Sequence, residues 1–268
     1  MSELAALTEQ LVSIPSHDDE TAAGDAITAW LRAETDATVE RDALGNVIAY
    51  RHGEDADRSD ADIASDADRP LLALVGHHDV VPPAEQQTTD EDIEGAYVVE
   101  RRDGRIYGRG SADMKGAVAA CLLAFRDASV PAGRDLAVAS FVGEETGGEG
   151  ARHAIDEGFV PDYALIAEGS TNYSKSGVTD VAVAHKGRRA STLVATGASA
   201  HASEPAAGEN AIYRACDAVE VVRDLDTPKT TVFGEQITGS VVVTEFHGGD
   251  TWNVIPDRCT VTIDERTV

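Results

Sequence analysis

The stretch LLALVGHHDVVP, residues 71–82, determines how the rest of the sequence is interpreted. Its first part, Leu71–Val75, is a continuous apolar run of strand length, typical of a strand buried on both faces of a helix-covered sheet. A helical pattern at 114–128 comes next and is followed by a second apolar run, Leu136–Val142. A second helical pattern at 148–157 is followed by a third apolar run, Tyr163–Ala167. This alternation of strands and helices predicts an α/β domain whose mixed sheet is covered by helices.

The rest of the chain divides into a first and a second unit. Two helical patterns and two short strand-like runs fill residues 2–51, ahead of the quoted stretch. After about residue 177 the pattern changes to alternating strands with one amphipathic helix at 209–225, which predicts a separate α+β unit. We therefore expect domains at residues 1–177 and 178–268.

The composition is strongly acidic. The 268 residues carry a net charge of −26, from 48 acidic and 22 basic residues. A surface of this charge repels phosphate, which argues against nucleic-acid binding. It fits either an ordinary acidic protein or one from a high-salt cytoplasm, where ions screen the self-repulsion. The low-complexity acidic segment 53–69 is expected to be a solvated loop.

Localisation and thiol chemistry follow from what the sequence lacks. No apolar run reaches the ~18 residues of a membrane helix, and the N-terminus has no basic segment or apolar signal core. We therefore predict a cytoplasmic protein without membrane partners. The three cysteines are far apart and odd in number, so reduced, buried thiols are expected.

Polar groups follow the predicted strands at the sheet edge where α/β proteins bind ligands. His77 and Asp79 are two residues apart in an extended segment and so share a face, while His78 points elsewhere. The Asp79 carboxylate can then hold the far imidazole nitrogen of a metal-binding His77. An ordinary hydrogen bond at a strand end explains the same pattern.

Three further acidic positions have similar settings. Asp113 lies in a glycine-rich loop just before a helix, where it can bind a metal or cap the helix. Glu144 and Glu145 follow a buried strand, and their neighbouring side chains diverge, so one can bind a metal while the other acts as a general base. A solvated pair in a loop is the alternative. Glu168 also follows a predicted strand.

Together these motifs resemble the di-zinc peptidase family that contains succinyl-diaminopimelate desuccinylase, acetylornithine deacetylase, aminoacylase and glutamate carboxypeptidase. The matching segments occur in the family's order across nearly the whole chain: GHHDVVP (76–82), YGRGSADMKG (107–116), GEETGGEGA (143–151), AEGS (167–170), KGRRAS (186–191), GASAHASEP (197–205) and NVIPDRCTVTIDER (253–266).

The resemblance implies a role for each matching residue in the first unit. His77 and Glu168 would bind one zinc, Glu145 the other, and Asp113 would bridge the two. Glu144 would be the general base, and Asp79 would orient His77. Cobalt or manganese could replace zinc in these sites.

In the second unit the resemblance implies substrate and dimer contacts. His201 would reach across a homodimer to stabilise the oxyanion, although a structural loop histidine is the alternative. Arg189, Asn253 and Arg266 match less securely with residues that hold a substrate carboxylate, and structural salt bridges are nearly as plausible for the arginines. The second unit, a lid, would carry the dimer contact.

The sequence departs from the family at one metal ligand. Members bind the second metal with one further histidine from a C-terminal segment, and the only histidine after His201 is His247, which lies in the lid. We therefore expect a catalytic domain that is incomplete at its C-terminus and a weak second metal site.

Several functions fit these observations. The first is hydrolysis of an N-acyl amino acid in amino-acid biosynthesis, by a desuccinylase-like or deacetylase-like reaction. A short-peptide peptidase or carboxypeptidase is the alternative within the family. The departure leaves open a mono-metal hydrolase that uses His77, Asp113 and Glu168, and an inactive dimerisation or binding module.

Overall fold

The structure is a computed structural model that describes residues 2–53, 69–88, 96–169, 181–182 and 184–268. The chain forms two compact units, residues 1–173 and 174–268. The boundary expected near residue 177 and most of the acidic segment 53–69 lie outside the described residues. Among the described residues, no helix has the length and apolar character needed to span a bilayer.

The first unit contains a five-stranded mixed sheet. Its strand order is β1-β2-β6-β3-β7, with β3 parallel to both β6 and β7, and β2 antiparallel to both β1 and β6. A short hairpin, β4-β5, lies outside this sheet. The elements are α1 (Glu3–Val12), α2 (Thr21–Glu34), β1 (Thr38–Arg41), β2 (Val47–His52), β3 (Leu71–His77), β4 (Glu100–Arg102), β5 (Arg105–Tyr107), α3 (Lys115–Asp127), β6 (Asp135–Phe141), α4 (Glu149–Asp156) and β7 (Tyr163–Ile166).

Helices cover both faces of this sheet, as the alternation of side chains along the strands shows. Val47 and Ala49 of β2 belong to the core formed with α1, α2 and α3. Ile48, between them, belongs to a second core on the other face, with Phe141 of β6 and Ala154 of α4. Since successive strand residues face opposite sides, two cores on alternate residues require cover on both faces. The mixed α/β fold expected from the sequence is confirmed.

Burial of the three apolar runs differs from the prediction. Leu136–Val142 is fully buried, as expected. Leu71–Val75 is only partly buried, and the prediction of complete burial was wrong for β7, where Tyr163, Leu165 and Ile166 are exposed. The strand β7 is the last in the sheet order and pairs with β3 alone among the described strands, so one edge and much of its surface stay uncovered.

The second unit is a two-layer α+β structure. Its three-stranded antiparallel sheet has the order β12-β14-β8, accompanied by the pairs β10-β11 and β9-β13. Its elements are β8 (Gly187–Thr196), β9 (Ala200–His201), α5 (Ala211–Arg223), β10 (Lys229–Val232), β11 (Glu235–Thr238), β12 (Ser240–Gly248), β13 (Val254–Ile255) and β14 (Arg258–Thr267).

The helix α5 packs on the sheet of its own unit. Its residues Ala211, Ile212, Ala215, Val219 and Val222 lie in one cluster with the side chains of the three-stranded sheet. The next residue after Ala215, Cys216, is exposed, whereas Cys121 and Cys259 are buried. The expectation that all three thiols are buried was therefore wrong for Cys216, because the cysteine follows the core-facing Ala215 by one helical position.

Candidate metal centre

The parallel strands of the first unit place four acidic and histidine positions at one sheet edge. His77 is the last residue of β3, Glu144 and Glu145 come three and four residues after β6, and Glu168 comes two residues after β7. Because β3 is parallel to β6 and β7, the carboxyl ends of these strands meet at the same edge. Asp113 reaches the same place from the loop before α3.

Asp79 holds one side of the His77 ring. The Nδ1 atom of His77 lies 3.1 Å from the backbone oxygen of Asp79 and 3.3 Å from its Oδ1 atom. The backbone N–H of Glu145 donates to Asp79 Oδ2 at 2.9 Å, which fixes the carboxylate from its other side. Both side chains are buried. The next residue, His78, points elsewhere, with its Nδ1 atom 2.9 Å from the Ser140 hydroxyl.

The other side of the His77 ring meets carboxylates. Its Nε2 atom lies 3.1 Å from Asp113 Oδ1, 3.5 Å from Glu168 Oε2 and 3.9 Å from Glu144 Oε2. One ligand atom each from His77, Asp113 and Glu145 falls within 4.8 Å of the other two. The structure thus brings together five of the residues singled out from the sequence.

Asp113 does not cap the helix that follows it. The helix α3 begins at Lys115, and its N-cap residue is Met114, which makes no side-chain capping bond. The Asp113 side chain lies beside His77 instead, and it is 60% exposed. The peptide bond between Asp113 and Met114 is cis. The capping alternative for Asp113 is therefore not what the structure shows.

The negative charges at this edge perturb one another. Burial, followed by the charge of Asp113, raises the pKa of both Glu145 and Glu168. Burial alone would lower the pKa of His77, but the hydrogen bond and charge of Asp79 and the charge of Glu144 raise it to about 9. The Asp79 pKa is lowered: its bonds from His77, Glu145 and Glu144 outweigh the opposing effect of burial. The site therefore favours additional positive charge.

The donor set fits a divalent metal. It consists of one imidazole and the carboxylates of Asp113, Glu144, Glu145 and Glu168, and within the described part of the chain no lysine or arginine lies within ion-pair distance of them. Nitrogen and carboxylate oxygen are ligands for zinc, and they also suit other first-row metals. The fixed His77 ring presents Nε2 to the carboxylates, as a ligand histidine with a supporting carboxylate does.

Asn46 holds the loop that carries Glu144 and Glu145, a role that the sequence did not reveal. Its fully buried side chain accepts a bond from the Val142 N–H at 3.0 Å and donates to the Gly150 oxygen at 2.9 Å. A Cβ atom on Gly150 would lie 2.3 Å from Asn46 Oδ1, so glycine is required there. The sequence marks Asn46 only as a turn residue after Gly45.

Lys115 ties the N-terminal segment to the metal-site loops, and sequence reasoning missed it too. The side chain is 1% exposed, and its Nζ atom donates to the Ile14 oxygen at 2.5 Å. Burial lowers the pKa of Lys115 to about 7, against an opposing effect of Asp79. Next to Ile14, the Ser16 oxygen accepts a bond from the Val80 N–H at 3.1 Å. A lysine two residues after Asp113 gives no sequence signal of such burial.

The remaining predicted site residues lie in the second unit. His201 is exposed on β9, where its Nδ1 atom accepts a bond from the Ser203 N–H at 3.2 Å. Arg266 pairs with Asp264, with Nε and Oδ1 2.7 Å apart, which is the structural salt bridge considered as an alternative. Arg189 is exposed on β8 and makes no ion pair with any described residue. The backbone oxygen of Asn253 accepts a hydrogen bond from the Ala202 N–H at 2.9 Å.

Solved structures with this fold include several peptidases. A Bacillus cereus aminopeptidase PepT matches 98% of this chain over 66% of its own length, with 20% identity and a TM-score of 0.69. A Sulfolobus solfataricus metallo-carboxypeptidase of the M20 family matches 100% of this chain over 72% of its own, with 15% identity and a TM-score of 0.70. A dinuclear metal-binding M20 peptidase from Bacillus subtilis matches 98% of this chain over 63% of its own length, with 17% identity and a TM-score of 0.60.

The chain thus spans 66% of the length of the PepT structure and 63% of the Bacillus subtilis peptidase. Identities of this size establish the fold, which agrees with the sheet and helices described above. The profile of peptidase family M20/M25/M40 matches residues 73–264, a range that includes every residue of the metal cluster. The family resemblance seen in the sequence motifs is confirmed, and this chain belongs to peptidase family M20/M25/M40.

Proposed function

We propose that this protein is a metal-dependent hydrolase that cleaves the amide bond of an N-acyl amino acid, in the manner of a desuccinylase or deacetylase. The observation that supports this most is the group of four carboxylates around His77 Nε2, without a cationic side chain among the described residues to offset them. Hydrolysis of a short peptide is the second candidate, because the solved structures with this fold include peptidases.

His77, Asp113 and Glu168 would hold one ion, and Asp113 and Glu145 a second, with zinc expected and cobalt or manganese able to replace it. An ion held there polarises the scissile carbonyl and makes water more acidic. Asp79 fixes the His77 ring through Nδ1, so that Nε2 stays free to bind. Four residues would thus hold the ions, and a fifth, Asp79, orients one of them.

Glu144 would move the protons. Its carboxylate lies at the edge of the cluster, 3.9 Å from His77 Nε2, and is 55% exposed, so substrate and water can reach it. It would accept a proton from the attacking water and return it to the leaving amine, which keeps the base neutral between the two steps. Because the amine must be protonated before it leaves, one carboxylate serves both halves of the reaction.

His201 would stabilise the oxyanion of the tetrahedral intermediate. Since its Nδ1 atom accepts a hydrogen bond, the neutral ring carries its proton on Nε2, which is then a donor. A donor aimed at a developing negative charge is a strong source of rate enhancement. Arg189, Asn253 and Arg266 would contact the carboxylate end of the substrate.

The proposed reaction predicts a substrate preference. In the presence of zinc, cobalt or manganese, we expect kcat/KM for N-succinyl or N-acetyl amino acids to exceed that for dipeptides with the same C-terminal residue by about tenfold or more, equal to ~1.4 kcal/mol of transition-state discrimination. Amine release would be measured for both classes at matched concentrations. A preference for dipeptides would favour the peptidase alternative, and no turnover by metal-loaded protein would favour the binding module.

We also propose a homodimer formed through residues 178–268. The apolar face of α5 packs on the sheet of its own unit, which makes an edge strand the better candidate for this contact. The strands β8 and β12 are the two edges of the three-stranded sheet and present backbone groups that can pair with a second copy. A cytoplasmic protein at high salt fits the net charge of −26, which ions would screen during association.

Mixing two inactive variants tests the dimer and the role of His201 together. If His201 acts in the partner's site, subunit exchange between His201→Ala and Glu144→Ala proteins creates mixed dimers with one intact site. We expect up to about a quarter of wild-type activity, because half of the dimers are mixed and each has one of two sites. Exchange would be verified with differently tagged chains. Verified exchange without recovery of activity would show that His201 does not act in trans.

A further inference from the structure

A groove in the second unit is not used by the proposed chemistry. It lies between the turn at 205–208, the start of α5 and the loop 248–256, and its volume is about 710 Å³. Two lining residues, Ala202 and Val254, directly follow His201 and Asn253 in the chain. The pairing of Val254 with His201 and the bond from the Ala202 N–H to the Asn253 oxygen keep these segments together. The groove therefore borders two proposed substrate contacts.

Two aromatic side chains line the groove and are unusually exposed. Trp252 is 95% exposed and Tyr213 is 71% exposed. Exposing a large aromatic ring to water is unfavourable, and exposed tryptophan is characteristic of binding surfaces. Their faces carry negative charge density, which attracts ammonium and guanidinium groups.

The charge of the groove has one sign. Asp250 is the single charged residue among its lining side chains, which include no lysine, arginine or histidine. Within the described ranges Asp250 makes no ion pair or side-chain hydrogen bond, whereas the nearby Arg214 is occupied by Glu209 at 2.7 Å. A free carboxylate beside two exposed aromatic rings selects a cation over an anion or a neutral group.

We propose that this groove binds a cationic group, an ammonium or guanidinium, through Asp250, Trp252 and Tyr213. Resting on the proposed function, it assigns the substrate class: an N-acyl amino acid or short peptide that carries a positively charged group. That group would enter the groove next to His201 and Asn253, the two residues proposed to contact the rest of the substrate. A second copy of the chain or an uncharged apolar side chain are the competing occupants.

The test measures binding without turnover. The protein has two tryptophans, so its nitrogen-15 spectrum has two indole N–H signals, and Trp252→Phe assigns the one from the groove. The probes are 1,5-diaminopentane, a dication without an amide bond, and pentane-1,5-diol, its neutral counterpart of equal length. Ionic strength is held constant with KCl. We expect the Trp252 signal to shift saturably with the diamine and to remain unchanged with the diol.

Two variants separate a specific contact from general attraction to an acidic protein. Asp250→Asn should weaken diamine binding about fivefold or more, the size of effect expected for losing one charge contact in a partly exposed site. Asp217→Asn, which removes the same charge from an exposed position of α5 outside the groove, should leave the affinity unchanged. Tyr213→Leu should also weaken diamine binding, and the diol should still leave the Trp252 signal unchanged.

Three outcomes would overturn the proposal: equal shifts with both probes, no shift with either, or a Trp252 signal that depends on protein concentration alone. The second would leave the groove without a small cationic ligand, and the third would assign it to a second copy of the chain. Because none of these readouts requires hydrolysis, failure here is distinct from failure of the proposed reaction, which the substrate comparison above measures separately.

Discussion

Replacing Glu144 with glutamine is expected to lower kcat by about 10²–10⁴ while the metal content stays unchanged, because general-base catalysis typically contributes that factor. The glutamine keeps the shape of the side chain and removes its ability to accept a proton. Glu144 is at the edge of the cluster, 3.9 Å from His77 Nε2, whereas the closer contact to that atom comes from Asp113 at 3.1 Å. We assign Glu144 to proton transfer because the group of possible ligand atoms formed with His77 and Asp113 includes its neighbour Glu145 and not Glu144.

Two neighbouring glutamates serve as references for this result. Glu145→Gln makes the same chemical change one residue later, at a member of the metal cluster, and should reduce metal binding together with activity. Glu149→Gln, at the exposed start of α4, should change neither. Metal analysis and kinetics on the same preparations distinguish these cases. Loss of metal from the Glu144 variant would reassign that residue as a ligand.

Asp113→Asn should have the largest effect on metal binding. Loss of a residue that hydrogen-bonds to a metal ligand commonly lowers metal affinity by roughly 10–100-fold. Because Asp113 is a direct ligand in our proposal, its replacement should lower the affinity by more than that. Asp113 is the nearest carboxylate to His77 Nε2, and it raises the pKa of both Glu145 and Glu168. Equilibrium dialysis against zinc measures the change, with Asp156→Asn on the exposed end of α4 as the control.

The same substitution should affect the stability of the metal-free and metal-bound protein differently. Without metal, removing the Asp113 charge relieves its repulsion of Glu145 and Glu168 but also removes its ion pair with His77, so the free energy of unfolding should change little. With metal, it should be lower, because bound metal stabilises only the folded state and binds more weakly. Lower stability of the metal-free variant would show that Asp113 supports the fold rather than the metal.

Sequence reasoning singled out residues that the structure brings together at one sheet edge, because the signals for these residues are local. A buried strand followed at once by acidic or histidine residues shows where a side chain enters the sheet edge, and parallel strands bring such ends together. The helix spacing of α5 also showed which residues face its sheet. For Asp113 the local pattern was ambiguous, since an aspartate before a helix can cap it, and its contact with His77 decided the matter.

Long-range contacts were not visible in the sequence. Asn46 accepts its bond from a residue 96 positions away, and Lys115 donates to a carbonyl 101 positions away. Neither distance leaves a periodic pattern, so both residues looked ordinary for their surroundings. The exposure of β7 was missed for a related reason: an apolar run shows that a strand tends to be buried, and its place in the strand order decides how much of it is covered.

The most direct test of the account is the number of zinc ions bound per chain at saturation, measured by equilibrium dialysis with elemental analysis. We predict two ions per chain, one held tightly and one weakly, with the same count in Glu144→Gln and a loss of both in Asp113→Asn. Because the tight ion would be held by His77, Asp113 and Glu168, its removal by the Asp113 change is the decisive comparison. No bound zinc, or zinc binding that Asp113→Asn leaves intact, would contradict the metal centre on which the proposed function depends.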